Sequence, residues 1–211
     1  MGKADEATDR YLRARYWQED DLLRALREDL ERRGPAIQVS PETGRLLALM
    51  VRATGAVRVL EVGTLFGYSG VWMARELPGD GHLDTLELSD VHARAAEAWF
   101  AEAGLADRVT VHRGAALDTL VRLEGHYDLV FLDAAKAEYV AYAEHAARLL
   151  RHGGTMLADN VIWRGRVGHP AVIDDDTEGI RRFHELITGD PRWDSTVVPV
   201  GDGVSISVRS G

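Results

Sequence analysis

Asp133 and Lys136 stand three residues apart at the end of one apolar run, and Asp159 and Asn160 close another. Carboxylate and amide oxygens are hard donors, suited to a divalent cation such as Mg²⁺; the His and Cys ligands that zinc prefers are missing from both places. A single strand-end aspartate is better read as a cap for the next helix. Two strand ends carrying Asp and Asp-Asn make capping alone a poor account of both. If a helix opens after Asp133, its first turn could bring the Lys136 amine to the same place, and a lysine general base needs such a partly desolvated position beside a cation. Lys136 is one of only two lysines in the chain, arginine serving everywhere else, which fits a specific need for an amine that can lose its proton.

A second group lies upstream. In Val59-Leu60-Glu61-Val62-Gly63-Thr64-Leu65-Phe66-Gly67-Tyr68-Ser69 an apolar strand runs into a glycine-containing turn and then a helix, exposing backbone N–H groups and a helix N-terminus at the strand's carboxyl end. Such a turn can be plain βα geometry. The spacing is Gly-x-x-x-Gly, not the dinucleotide Gly-x-Gly-x-x-Gly. Glu61 sits inside the apolar strand end, where a carboxylate is costly without a cationic or hydrogen-bonding partner, and a ligand's ammonium would serve. Glu87 closes the next run about 20 residues beyond the turn, the usual place for a ribose-hydroxyl acceptor. Gly114-Ala115-Ala116 after the third run has small side chains that leave room for a flat base. Trp163, just past Asp159-Asn160, is either an aromatic wall for a planar substrate or a packing residue. Tyr16 and Trp17 either cover a pocket or build a subunit interface. The eight histidines show no ligand spacing and no triad-like setting.

These residues need a frame that gathers strand ends. From residue 57 onward, short apolar runs at 57–62, 82–88, 108–112, 127–133 and 154–159 alternate with amphipathic segments near 68–77, 90–103, 115–123 and 137–150. That alternation predicts parallel strands joined by right-handed crossovers, a doubly wound α/β sheet whose ligands bind beyond the strands' carboxyl ends. Residues 5–33 read as one helix with Leu22, Leu23, Leu26 and Leu30 on a stripe, an appendage ending at Gly34-Pro35. A second helix opens at Ser40-Pro41 and carries Leu46, Leu47, Leu49 and Met50. An irregular stretch over 161–172 precedes a helix over 174–188. Segments 193–199 and 204–208 around Gly201-Asp202-Gly203 predict a hairpin and so at least one antiparallel strand.

Length and composition bound the rest. A chain of 211 residues, 45% hydrophobic and 28% charged, fits a single domain over 1–211, with residues 1–35 as a helical appendage and 36–211 as the core. A net charge of -9 offers no footprint for a phosphate backbone, so nucleic acid is not an expected partner. Without cysteine there are no disulfides, thiolate sites or cysteine nucleophiles. There is no apolar run of about 18 residues and no signal-like N-terminus, so no membrane partner and a cytoplasmic location are expected.

Four ordered motifs, Val-Leu-Glu-Val-Gly-Thr-Leu-Phe-Gly-Tyr-Ser (59–69), Asp-Ala-Ala-Lys (133–136), Ala-Asp-Asn (158–160) and Pro-Val-Gly-Asp-Gly (199–203), resemble the cation-dependent O-methyltransferases. That family includes the catechol and plant caffeoyl-CoA enzymes and their bacterial relatives. The resemblance covers about residues 36–209. It implies a seven-stranded, Rossmann-like fold that binds S-adenosylmethionine (SAM), and a homodimer. It implies cofactor contacts at Val39, Glu61, Gly63, Thr64, Ser69, Glu87, Ala116 and Asp133. Metal ligation would fall to Asp133, Asp159 and Asn160, with Asp133 and Lys136 catalytic and Lys136 the base. Plant members often read Asp-Ala-Asp-Lys; Ala135 here lacks that second carboxylate, and a contact made by it does not carry over. The implied reaction is Mg²⁺-dependent methylation of one hydroxyl of a catechol-like small molecule, releasing S-adenosylhomocysteine (SAH), in a setting such as antibiotic assembly. A hydroxylated acyl or polyketide intermediate, tethered to a carrier or free, is the alternative acceptor. A nicotinamide-dependent reductase lacks support in the missing Gly-x-Gly-x-x-Gly and Tyr-x-x-x-Lys, and a non-catalytic scaffold would not need Asp133, Lys136, Asp159 and Asn160 together.

Overall fold

The computed structural model describes residues 6 to 210, residue 9 by its backbone alone. At its centre five parallel strands follow the apolar runs: β1 (Arg58–Val62), β2 (His82–Glu87), β3 (Val109–Arg113), β4 (Tyr127–Leu132) and β5 (Leu150–Ala158). β6 (Trp193–Val198) and β7 (Val204–Arg209) form the expected hairpin and complete a seven-stranded sheet of order β3-β2-β1-β4-β5-β7-β6, in which β7 is antiparallel to both neighbours. β2 and β3 extend outward from β1 in one direction, and β5 followed by the hairpin extends from β4 in the other. A crevice therefore opens beyond the carboxyl ends of β1 and β4.

Side-chain alternation divides the core between the two faces. Val59, Leu129, Phe131 and Leu157 pack with α2 (Asp21–Arg33), α3 (Pro41–Thr54), α4 (Tyr68–Ala74) and α5 (Asp90–Glu102). Leu60, Val62, Val130, Leu132 and Met156 pack with α6 (Ala116–Leu120), α7 (Tyr139–Leu149) and α8 (Asp175–Gly189). Local chemistry sets where several helices start. Ser40 caps α3, whose first position is Pro41, Ser89 caps α5 and Asp174 caps α8, each accepting from the third backbone N–H that follows.

Several expectations are corrected. The helix expected over 5–33 is two, α1 (Glu6–Tyr16) and α2; residue 5 lies outside the described residues. The break falls at 17–20 because the Asp20 carboxylate accepts from the Leu23 N–H at 2.9 Å and so starts a new helix. Leu23, Leu26 and Leu30 are buried in the same core as Phe66, Tyr68 and Trp72, so the α2 part of the supposed appendage is packed into the fold. On α3 the buried face carries Leu47, Ala48 and Val51, while Leu49 is 47% exposed. β5 begins at Leu150 rather than 154: its ladder with β4 runs past His152-Gly153-Gly154 by a register shift between Tyr127 and Leu129. The helix predicted over 68–77 closes at Ala74 and that over 115–123 at Leu120. Among the described residues no helix is long and apolar enough to cross a membrane.

Candidate active site

The crevice is a cavity of about 900 Å³, and its wall draws on the residues after β1, β2, β3, β4 and β5. Gly63 and Thr64 follow β1, Glu87 and Leu88 close β2, Ala115 and Ala116 follow β3, Asp133 and Lys136 follow β4, and Asn160 follows β5. Val39, Ser69 and Trp163 line it too. Of the residues predicted for the site, only Glu61 and Asp159 stand behind the wall; they are 0% and 3% exposed. The non-glycine residues with left-handed backbone among those described are Leu65, Asn160, Trp163 and Arg164, and all four line this cavity. Such conformations cost energy and persist where the surroundings over-determine them, which is characteristic of functional sites.

Register explains how Glu61 is accommodated. β1 sets it opposite Thr85 of β2, whose hydroxyl donates to Oε2 at 2.6 Å, while Ser69 from the first turn of α4 donates to Oε1 at 2.5 Å. Burial nevertheless pushes the carboxyl up to about 7; the two hydroxyls pull the other way, and Asp133 and Glu87 add to the rise. Glu61 thus meets the cavity through Ser69. Next to it, Gly63 has φ +105°, and a Cβ there would lie 2.0 Å from the Asp133 carbonyl oxygen, so glycine is what lets the β1 and β4 ends close on each other. Glu87 accepts from the Leu65 N–H at 2.7 Å and the Ser89 N–H at 2.8 Å, which fixes its carboxylate at the cavity wall.

On the β4–β5 side, Lys136 is 7% exposed and donates through Nζ to Asp133 Oδ1 at 2.8 Å and to Tyr139 Oη at 2.7 Å. Tyr139 Oη in turn lies 3.2 Å from the Leu132 carbonyl and 3.0 Å from that of Asp159, tying the lysine to both strand ends. Lys136 begins a single tight turn before α7. Helix α8 can sit on that turn because position 179 is glycine: a Cβ there would be 2.4 Å from the Lys136 carbonyl oxygen. Asn160 Nδ2 donates to Asp159 Oδ2 at 3.3 Å, which leaves the amide oxygen free. Asp159 Oδ1 is buried with no hydrogen-bond partner. Burial, with the Asp133 charge beside it, pushes the Asp159 carboxyl up to about 7. A buried, unsatisfied carboxylate oxygen next to a second carboxylate is expensive unless a cation joins them, so the donor set fits a hard divalent ion. Among the described residues no cluster of three or more His, Cys, Asp or Glu could hold a metal, so a site here has to count the Asn160 amide as a ligand.

Several residues at or behind this wall were not legible as site residues. Tyr139 lies three positions beyond Lys136, one helical turn, and that spacing was the available signal. His92, one of the eight histidines without ligand spacing, approaches Glu87 with Nδ1 at 3.5 Å because Ser89 starts α5 right after β2. Asp202, read only as a turn residue, accepts from the Arg164 N–H at 2.7 and 3.0 Å and lines the cavity with Asp176. Their approach depends on the placement of the closing hairpin and of α8. Tyr16 is 63% exposed, and neither it nor Trp17 reaches the cavity.

A doubly wound sheet with its crevice at the strands' carboxyl ends defines a Rossmann-like fold. Residues 14–210 match the O-methyltransferase family model, and the chain belongs to that family. It is 38% identical to a catechol O-methyltransferase of Niastella koreensis, with 96% of each chain covered. Among solved structures it is similar to an O-methyltransferase of Bacillus cereus in complex with SAH (37% identity, 97% of each chain, TM-score 0.91). It is similar also to TomG of Streptomyces achromogenes, an O-methyltransferase involved in tomaymycin synthesis, in complex with SAM (35% identity, 97% of this chain and 96% of that one, TM-score 0.90). The protein is therefore an enzyme of the methyltransferase class, and the nicotinamide-reductase and scaffold readings fall away.

Proposed function

We propose that this enzyme transfers a methyl group from SAM to one hydroxyl of a catechol-like vicinal diol, with Mg²⁺ or a similar ion held by Asp133, Asp159 and Asn160. The observation that carries the reading is the partnerless, buried Asp159 Oδ1 behind the Asp133–Lys136 pair. When bound, SAM would supply an electrophilic methyl, and a cation held by Asp133, Asp159 and Asn160 would supply the positive charge that makes a diol hydroxyl easier to ionise. Glu87, already fixed by two backbone N–H groups, accepts from ribose hydroxyls, and Ala116 leaves room for the adenine. Val39, Gly63, Thr64 and Ser69 face the methionine part, Ser69 being oriented by the Glu61 carboxylate. Asp133 serves both the metal and the cofactor side. Lys136 Nζ takes the hydroxyl proton, and Tyr139 Oη keeps that amine aimed at the cavity. Trp163 lies against the acceptor ring.

Two relatives point toward acceptors. The Niastella enzyme's name favours a catechol. The likeness to TomG favours an aromatic intermediate of secondary metabolism such as antibiotic biosynthesis, for which a carrier-tethered acyl or polyketide is the second reading. We place the enzyme in the cytoplasm as a single-domain homodimer, with the N-terminal helices and closing hairpin as contact surfaces. The test is methyl transfer from SAM to catechol, to a hydroxycinnamoyl thioester and to a carrier-bound dihydroxyaryl acid, with Mg²⁺ and with EDTA. Transfer to at least one diol that stops with EDTA and returns with Mg²⁺ is expected; equal transfer to monohydroxy analogues, or transfer indifferent to EDTA, would refute the proposal.

A further inference from the structure

The segment 161–172 carries Trp163 and Arg164 into the cavity wall with an unfavourable backbone: φ is +51° at Trp163, +53° at Arg164 and +81° at Gly165. Two consecutive non-glycine residues in the left-handed region, one of them bulky, do not hold that shape unaided. Something outside the segment has to hold it.

On one side the Asp202 carboxylate holds the Arg164 N–H; the rest of the segment, 166–172, is held by one side chain of α8. Arg181 donates from Nε to the Val167 carbonyl at 3.1 Å and from Nη1 to the Val172 carbonyl at 2.7 Å. From Nη2 it donates to the carbonyls of Arg166 and His169 at 3.2 and 2.6 Å, and a further Nη1 bond goes to Glu178. A guanidinium has five N–H donors in a rigid plane, and here each has an acceptor. Four of the five acceptors are backbone carbonyls of this segment; those of Arg166 and His169 also accept the His169 and Val172 N–H groups, so the guanidinium joins successive turns of the segment. Lysine, with three donors on a single nitrogen, cannot span the same carbonyls. The segment is also tied at its start, where the Val161 carbonyl lies 2.8 Å from His184 Nε2, also of α8.

We infer that Arg181 is a positioning residue for the acceptor: it clamps the 161–172 segment and so fixes the wall formed by Trp163 and Arg164, without touching substrate or cofactor. The inference rests on the functional reading above in taking that wall as the acceptor's. Its effect should be confined to that side, because the residues proposed for the ribose and methionine parts come from the ends of β1 and β2, from α4 and from the segment before α3, and none of them bonds to Arg181. Arg181 does not line the cavity.

The test compares wild type, Arg181→Met and Arg181→Lys. Amide hydrogen exchange over 161–172 reads the clamp alone, calorimetric titration with SAH reads the cofactor side, and catechol KM and kcat with Mg²⁺ read the acceptor side. Expected for Arg181→Met are faster exchange confined to that segment, a catechol KM raised roughly tenfold or more, and SAH affinity within about twofold of wild type. Arg181→Lys should lie between, and it carries the test if the methionine variant does not bind SAH. Unchanged exchange would overturn the clamp. Faster exchange with an unchanged acceptor KM, or a loss of SAH affinity matching the rise in KM in both variants, would overturn the positioning role. A wild-type enzyme inactive on every diol would instead overturn the functional reading, and exchange would still decide the clamp.

Discussion

Glu61→Gln separates the energetic cost of a buried carboxylate from its hydrogen bonding. The side chain is 0% exposed, accepts from two hydroxyls, and among the described residues has no ion pair. Its carboxyl moves from 4.5 to about 7, chiefly through burial. For an acid raised on folding, the native state holds the proton more tightly than the unfolded chain. The stabilisation is therefore complete below the unfolded value, and it is lost as pH rises from about 4.5 toward 7. At about 1.4 kcal/mol per unit, that shift corresponds to ~3 kcal/mol lost by pH 8. Glutamine keeps an oxygen for one hydroxyl, turns its amide toward the other, and carries no charge at any pH. Stability from urea titrations at steps between pH 4.5 and 8, in EDTA, should show the variant gaining on wild type as pH rises. The gap should widen by ~3 kcal/mol, or roughly 6–12 °C in Tm for a chain of this size. Using the difference between the two proteins cancels groups they share, Asp159 included. Parallel stability curves would show that Glu61 is not charged at a cost in the folded protein, and the account of its burial would fail.

Gly63→Ala should be severe, because the new methyl meets the Asp133 carbonyl at 2.0 Å and φ is +105°; a Tm unchanged within about 2 °C in a melting scan would contradict the close approach. Lys136→Ala should lose roughly 10²–10⁴-fold in kcat while SAH affinity, measured by calorimetry, stays near wild type. Retained turnover would remove Lys136 from the chemistry.

Strand positions were legible because buried parallel strands read as unbroken apolar runs between amphipathic segments, and the site residues fell at their ends. Asp133, Lys136, Asn160 and Glu87 were found together for that reason. The sequence did not reveal that Glu61 would be satisfied by Thr85 and Ser69, because that depends on the register of β1 against β2. Asp202 and Arg181 were missed on similar grounds: each acts through an element whose distance along the chain says little about its place in space, whereas Tyr139 offered a local signal in its spacing from Lys136. The break before α2 was legible in principle, since Asp20 is a good cap, but the leucine stripe that follows it masked the signal.

The central claim is that Asp133, Asp159 and Asn160 hold the divalent ion that methyl transfer requires. The most direct test is the rate of methyl transfer from SAM to catechol as a function of Mg²⁺ concentration, for wild type and Asp159→Asn, each first shown to bind SAH. Wild type should be inactive in EDTA and saturate with Mg²⁺, while Asp159→Asn should need far more Mg²⁺ or stay inactive at every concentration. Coincident Mg²⁺ curves for the two proteins, or full activity of either in EDTA, would contradict it.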